Sequence, residues 1–306
     1  MIFKHISVLK KEAIAFLNIN PNGIYVDATL GQGGHSLEII KYLKNGFLYA
    51  FDQDLTACKQ AYKSISPYFP INIIHSNFSY LKDKLAEKNV FQIDGILLDL
   101  GLSSCQIDDP QRGFSYLYDV PLDMRMNQQQ KLTAQDIVNN YSFQKLKSIF
   151  WFYGEEPKAS YIAKEIIKRR PLHTSYDVVA ITDLFYRYHK GHSAKKIFQA
   201  LRIEVNQELK ALKKILIQSL DLLKKHGRIV VISFHSLEDR IVKHFFKKNS
   251  IVDLPQKFPI IDLPFSPLKL ITKKVFVPSQ NEMQQNPRSV SAKLRVAEKK
   301  INILEN

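Results

Sequence analysis

Cysteine is nearly absent. Cys58 and Cys105 are the only two in 306 residues, too few for a disulfide framework or a cysteine-rich zinc site. No apolar run is long enough to span a bilayer, and Met1–Lys11 carries no signal-peptide pattern, so the expected compartment is the cytoplasm. Internal repeats and low-complexity tails are missing too. Acidic charge is the scarcer sign: 29 acidic residues stand against 44 basic ones, for a formal charge of +15 and a pI near 9.5. That excess favours a polyanionic partner through counterion release, although a general lysine bias gives the same figure without one. What is abundant is core material. A hydrophobic content of 45% over this length is enough for one large domain or two ordinary ones.

The most informative stretch is Ile24-Tyr25-Val26-Asp27-Ala28-Thr29-Leu30-Gly31-Gln32-Gly33-Gly34-His35-Ser36. It reads as a buried strand, a glycine turn and a helix from about Ser36 to Leu43. Gly31, Gly33 and Gly34 are expected to let the backbone approach a bulky ligand, since positive φ costs them little. A second strand, Phe47–Asp52, ends in a carboxylate about twenty residues past the turn. A nucleotide-binding βαβ unit places there the acid that accepts both ribose hydroxyls. A dinucleotide fingerprint wants Gly or Ala where Ser36 stands, and Asp27 would repel a pyrophosphate. A nicotinamide oxidoreductase is therefore disfavoured. An acid before the turn suits a cationic nucleoside, and S-adenosylmethionine, with a sulfonium, an ammonium and no phosphate, meets that requirement.

Along the chain, His5–Leu9 leads into an amphipathic helix through Phe16 with Ser7 as its expected N-cap. Leu55–Ile65 reads as a helix and Ile71–His75 as a third strand. Phe78 in the loop beyond is placed to press its ring on an adenine, or is a buried ring with no ligand. Ile93–Asp99 is a fourth strand ending in an acid, so Asp27, Asp52 and Asp99 are expected on the rim where open α/β sheets bind ligands. Helical stretches follow over Thr133–Asn140, Phe143–Tyr153, Lys158–Arg170, Ser175–His189 and Ala194–Val205, with no strand between them. The expected organisation is an α/β sheet domain over 1–106 and 207–306, with an inserted helical domain over 107–206. Glu208–Lys225 is expected to be a helix stopping at Gly227, Arg228–Phe234 a fifth strand, and Leu268–Val277 with Val290–Glu298 a closing antiparallel hairpin.

Together these residues resemble the MraW family of bacterial ribosomal RNA small-subunit methyltransferases H. The likeness is carried by His5–Leu9, the glycine turn, Asp94–Ser104, Arg112-Gly113-Phe114-Ser115, Pro121–Met126, Phe198–Ile203, Ser233–Arg240 and Asn286-Pro287-Arg288, in order from end to end. It implies a class I S-adenosylmethionine-dependent methyltransferase sheet with an inserted helical substrate-recognition domain. It also implies methyl transfer to N4 of a decoding-centre cytidine in 16S rRNA within the small ribosomal subunit; the sequence leaves open whether the enzyme is a monomer or a dimer. By position, the family's cofactor residues fall on Gly33, Gly34, His35, Asp52, Phe78, Asp99 and Gln106. The chain departs from the family pattern at Cys105, Val120 and Val290, where the family has Pro, Gly and a second Arg. Because the family manages with Pro at position 105, a thiolate mechanism is not expected of Cys105.

Cytosine N4 is a poor nucleophile, so direct displacement with careful alignment is expected. The candidate catalytic residues are Asp99 with Ser103 or Ser104 to receive the amine, and His235 or Ser236 to hold the base. A helix-capping role for His235 is the competing reading. No metal is expected. Arg112, Arg125, Lys195, Lys196, Arg202, Arg240, Arg288 and Arg295 are candidate phosphate contacts, or simply solvated surface. The alternative function is a catalytically silent rRNA-binding assembly factor with the same fold.

Overall fold

The structure, a computed structural model, describes residues 7–65, 69–186, 191–250 and 266–300. His5, Ile6 and residues 187–189 of the helix expected over Ser175–His189 lie outside the described residues. The chain divides into two compact units, residues 1–101 with 209–306, and residues 102–208.

The first unit is built on one seven-stranded sheet. Its strands are β1 (Ile24–Asp27), β2 (Phe47–Asp52), β3 (Ile71–His75), β4 (Ile93–Asp99), β5 (Leu223–Ser233), β6 (Leu268–Leu270) and β7 (Lys293–Lys299). They lie in the order β3-β2-β1-β4-β5-β7-β6. All neighbours from β3 to β5 are parallel, and β7 runs antiparallel to both β5 and β6. Parallel strands are covered on both faces, which explains the near-continuous apolar runs of β4 and β5. Alternate residues point to opposite layers. Ile96, Leu98, Ile229 and Val231 meet Leu81 and Leu85 of α4 (Leu81–Ala86), Leu212 and Leu216 of α11 (Glu208–Leu222), and Val242 and Phe246 of α12 (Ser236–Ser250). Leu97, Val230 and Ile232 meet α1 (Lys10–Leu17) through Ala13, Ile14 and Leu17, α2 (Gly34–Ile40) through Ile39 and Ile40, and α3 (Leu55–Ser64) through Ala61.

Three local expectations change here. Ser7 does not cap α1: the cap is Leu9, held in a left-handed conformation at φ 49°, and its N–H donates to Glu282 Oε1 at 2.7 Å. The helix expected through Lys225 ends at Leu222. Leu223 instead pairs with Ile93 in the sheet, and the positive φ falls on His226 at 64° rather than on Gly227. A sheet ladder held at both ends overrides helical periodicity. The closing hairpin is shorter than expected, and α13 (Gln280–Gln285) lies within its connection. Ser279 caps α13 by accepting from the Glu282 N–H, so a Ser-x-x-Glu signal for it stood in the sequence.

The second unit packs α6 (Ala134–Asn140), α7 (Phe143–Phe152), α8 (Ala159–Lys168), α9 (Ser175–Asp183) and α10 (Lys195–Asn206) around Ile137, Leu146, Phe150, Ile162, Ile181 and Leu201. It is preceded by the short α5 (Ser104–Asp108). The unit begins at Leu102 rather than Ile107, because Leu102 itself packs against the helical core. Thr133 opens α6 in a reciprocal capping box with Asp136. The irregular segment before it is pinned by two buried side chains. Arg112 donates to the carbonyls of Arg125 and Met126, while Asn206 accepts from the Met126 N–H and donates to the Met124 carbonyl.

Candidate functional site: an acidic sheet rim

Parallel register brings the ends of β1, β2, β4 and β5 to one edge: Asp27 pairs with Ala50 and Leu97, and Asp99 with Ile232. Asp52 receives the N–H of Gly31 and of Asp54, both at 2.8 Å. Burial raises its pKa to about 6. That shift disfavours the ionised form by about 3 kcal/mol. Two backbone donors fix the carboxylate and leave lone pairs over for two hydroxyls.

Asp99 lies against His35. Their nearest atoms, Oδ2 and Nδ1, are 3.5 Å apart, and His35 Nε2 is 3.1 Å from the Val8 carbonyl. A carbonyl only accepts, so Nε2 carries a proton and Nδ1 is left facing the acid. The pKa of Asp99 is pushed well above the carboxylate range by burial, then by Asp27 and Glu238. Its side chain keeps 22% exposure, yet Oδ1 is fully covered and has no hydrogen-bond donor. A buried acceptor without a donor carries a desolvation penalty.

Asp27 takes a different role from the expected one. It is fully buried, accepts from Ser36 Oγ at 2.6 Å and from the Thr29 N–H at 3.1 Å, and so braces the turn. Its field still raises the pKa of both Asp52 and Asp99. The glycines also do more internal work than expected. Gly33 sits at φ +78°, where a Cβ would meet the tip of Ile65 at 2.2 Å. A Cβ on Gly34 would meet Ser7 Oγ at 1.9 Å. The space beside Gly34 thus belongs to Ser7, not to a ligand.

His235 sits where the capping reading placed it. Its N–H and that of Phe234 donate to Glu238 Oε2, and its Nδ1 faces the Glu238 N–H at 3.5 Å. Glu238, 2% exposed, is the residue that sequence reasoning missed. Its signal was a fourth acid three places into a helix opening on the same rim. Phe78 lies in a 3-10 turn after β3, half-buried against the sheet core. In the helical unit, Ser103 caps α5, which begins at Ser104. The Ser103 hydroxyl accepts from the Gln106 N–H, and Gln106 Oε1 accepts from the Ser103 N–H. Cys105 is exposed.

Several expected phosphate contacts are already engaged. Arg112 is buried under the loop it holds, Arg125 is locked on Asp123, Arg202 forks onto Glu208 and Arg295 onto Asp239. Lys196 reaches the Glu155 carbonyl. Lys195, Arg240 and Arg288 are exposed.

The rim suits a cationic ligand. Asp27, Asp52 and Asp99 pair with no lysine or arginine among the described residues, and the pKa values of Asp52 and Asp99 are raised by burial and further by the field of Asp27. Seven strands in this order with β7 alone antiparallel, carrying such a rim, define a class I methyltransferase, whose methyl donor is S-adenosylmethionine. Residues 2–300 match the family described as the MraW methylase family, and the chain belongs to that family. Two curated relatives cover nearly all of it. A ribosomal RNA small subunit methyltransferase H of Onion yellows phytoplasma (strain OY-M) is 69% identical over 297 residues, 97% of this chain and 98% of its own. A ribosomal RNA small subunit methyltransferase H 1 of Acholeplasma laidlawii (strain PG-8A) is 55% identical over 296 residues, 97% of this chain and 99% of its own. Among the described residues no helix is long and apolar enough to cross a membrane.

Proposed function

We propose that this chain methylates the N4 amine of a decoding-centre cytidine in 16S rRNA, in the cytoplasm, with residues 102–208 serving substrate recognition. The observation that carries the chemistry is the Asp99 carboxylate, 22% exposed on the rim, its proton affinity raised by burial and by the nearby acids Asp27 and Glu238. The names of the relatives support ribosomal RNA as the substrate.

When bound, the sulfonium supplies an electrophilic methyl group. Asp52, held by Gly31 and Asp54, accepts the ribose hydroxyls. Phe78 offers its ring to the adenine, and the turn completes the cofactor contacts through the backbone of Gly33, Gly34 and His35, with Gln106, while the side-chain space beside Gly34 is taken by Ser7. Asp99 accepts an N–H from the target amine. That hydrogen bond localises a lone pair otherwise spread into the ring, and Asp99, its proton affinity raised by burial, is the group that takes the departing proton. His35 Nδ1 lies 3.5 Å from the Oδ2 of that carboxylate. Ser103, Ser104 and His235 steady the base, which must leave its stack to be reached.

The test is transfer of labelled methyl to small subunits lacking the modification, followed by nucleoside analysis. N4-methylcytidine at a single position is the expected result. Subunits bound but left unlabelled would instead identify a silent assembly factor.

A further inference from the structure

The net positive charge is concentrated in one part of the chain. Residues 209–306 hold 19 of the 44 basic residues against 8 of the 29 acidic ones, whereas residues 1–101 hold 10 against 9. Within that segment the charge has a direction. On α12 the exposed positions are Ser236, Arg240, Lys243, His244, Lys247 and Lys248, a helical repeat that forms one continuous face. The two acids of the helix are absent from that face. Glu238 is buried at the rim, and Asp239 is held by Arg295 at 2.7 Å and Lys293 at 3.6 Å. The neighbouring α11 lacks this purity: its exposed Lys210, Lys213 and Lys214 give way to Ile217 and Asp221. Helix-dipole preference accounts for Lys247 and Lys248 in the last turn, but not for Arg240 and Lys243 nearer the N-terminus.

Position gives this face its meaning. α12 starts directly after β5, on the edge where Asp99 pairs with Ile232, and runs away from it. Arg240 to Lys248 spans about 12 Å of helix axis. We infer that the outer face of α12 is a phosphate rail: Arg240, Lys243, Lys247 and Lys248 hold the backbone of the substrate RNA that flanks the target nucleotide. The inference rests on the proposed RNA substrate and adds to it the surface that grips the strand. Its chemistry is sequence-independent and salt-sensitive, because lysines neutralise phosphates and release counterions without reading bases.

The test compares two full-length triple variants of equal charge change. One is Lys243→Glu/Lys247→Glu/Lys248→Glu on α12. The other is Lys44→Glu/Lys59→Glu/Lys63→Glu, exposed lysines on or before α3. Affinity for a 16S rRNA fragment spanning the decoding region is read by filter binding across a salt series. S-adenosylmethionine affinity and the thermal midpoint are read on the same samples. The α12 variant is expected to bind the fragment at least about tenfold more weakly, with a log–log salt slope shallower by about 2 to 3. Its cofactor affinity and midpoint should stay unchanged, and its KM for RNA should rise at constant kcat. Equal weakening in both variants would reduce the effect to net charge and overturn the rail. So would unchanged RNA affinity in the α12 variant, or loss of binding to anionic phospholipid vesicles while RNA binding persists. Binding needs no methyl transfer, so an inactive wild type would refute the proposed function and leave the rail to be judged by affinity alone.

Discussion

The two units bury polar groups for opposite ends. In the sheet unit a group of buried or half-buried polar side chains gathers on one rim, Asp27, His35, Asp52, Asp99 and Glu238, and the carboxyls of Asp27, Asp52 and Asp99 have raised pKa values. In the helical unit, Arg112 and Asn206 hold backbone groups of the 124–126 loop, and Ser175 links the Val120 N–H to the Tyr118 carbonyl. Charge divides the same way, with 29 basic against 17 acidic residues in the sheet unit and 15 against 12 in the helical unit. Tension left in the first unit marks a site for a ligand. In the second, Arg112, Asn206 and Ser175 use their polar groups to brace loops, although Glu156 Oε2 is buried there without a donor as well.

Four measurements put that contrast at risk. The largest effect is expected from Asp99→Ala, which removes the proposed proton acceptor. Methyl transfer should fall by about a thousandfold or more, with the thermal midpoint unchanged or raised because a repelling acid is gone. A fully active variant would end the assignment. Next, Arg112→Ala strips a donor from two carbonyls in the helical unit. It should cost about 2–4 kcal/mol in stability, read by denaturant unfolding, while S-adenosylmethionine affinity measured by calorimetry stays put. Matching losses in both would mean that the scaffold and the site are not separable.

A third test uses acidity. Asp52 has a folded pKa raised to about 6 from 3.8. The empty protein therefore takes up a proton there between those values and loses that stability as pH rises through about 6. The cofactor hydroxyls need the ionised form. Affinity should thus weaken about tenfold from pH 7 to pH 5, and the midpoint gain on adding cofactor should be larger at pH 7.5 than at pH 5.5. A flat profile would remove Asp52 from the ribose contact. The last test concerns the turn: Gly34→Ala should cost about 1 kcal/mol through the clash with Ser7 Oγ, a side-chain tip that can rotate away in part. Adding Ser7→Gly should restore much of it, which no ligand-facing role for that glycine would predict.

Local patterns carried much of this. The strand at Ile24–Asp27, the acid at Asp52, the acid at Asp99 and the start of α6 at Thr133 can each be read within a few residues, because alternation, capping and turn chemistry act over that range. The exceptions are long-range. The helical stripe through Lys225 was real, but Leu223 lies in register with Ile93, 130 positions earlier in the chain, and the sheet claimed it. Arg112 and Arg295 looked like solvent-facing cations until Met126 and Asp239 were brought to them.

Composition and periodicity thus dictated which segments become strands and helices, and that several of those strands end in carboxylates. Whether a given acid faces a ligand or braces a turn depended on partners such as Ser36 for Asp27 and His35 for Asp99. Those partners come from elements that meet only when the layers close. Proton affinity follows from burial and neighbouring charge, and neither exists along an extended chain.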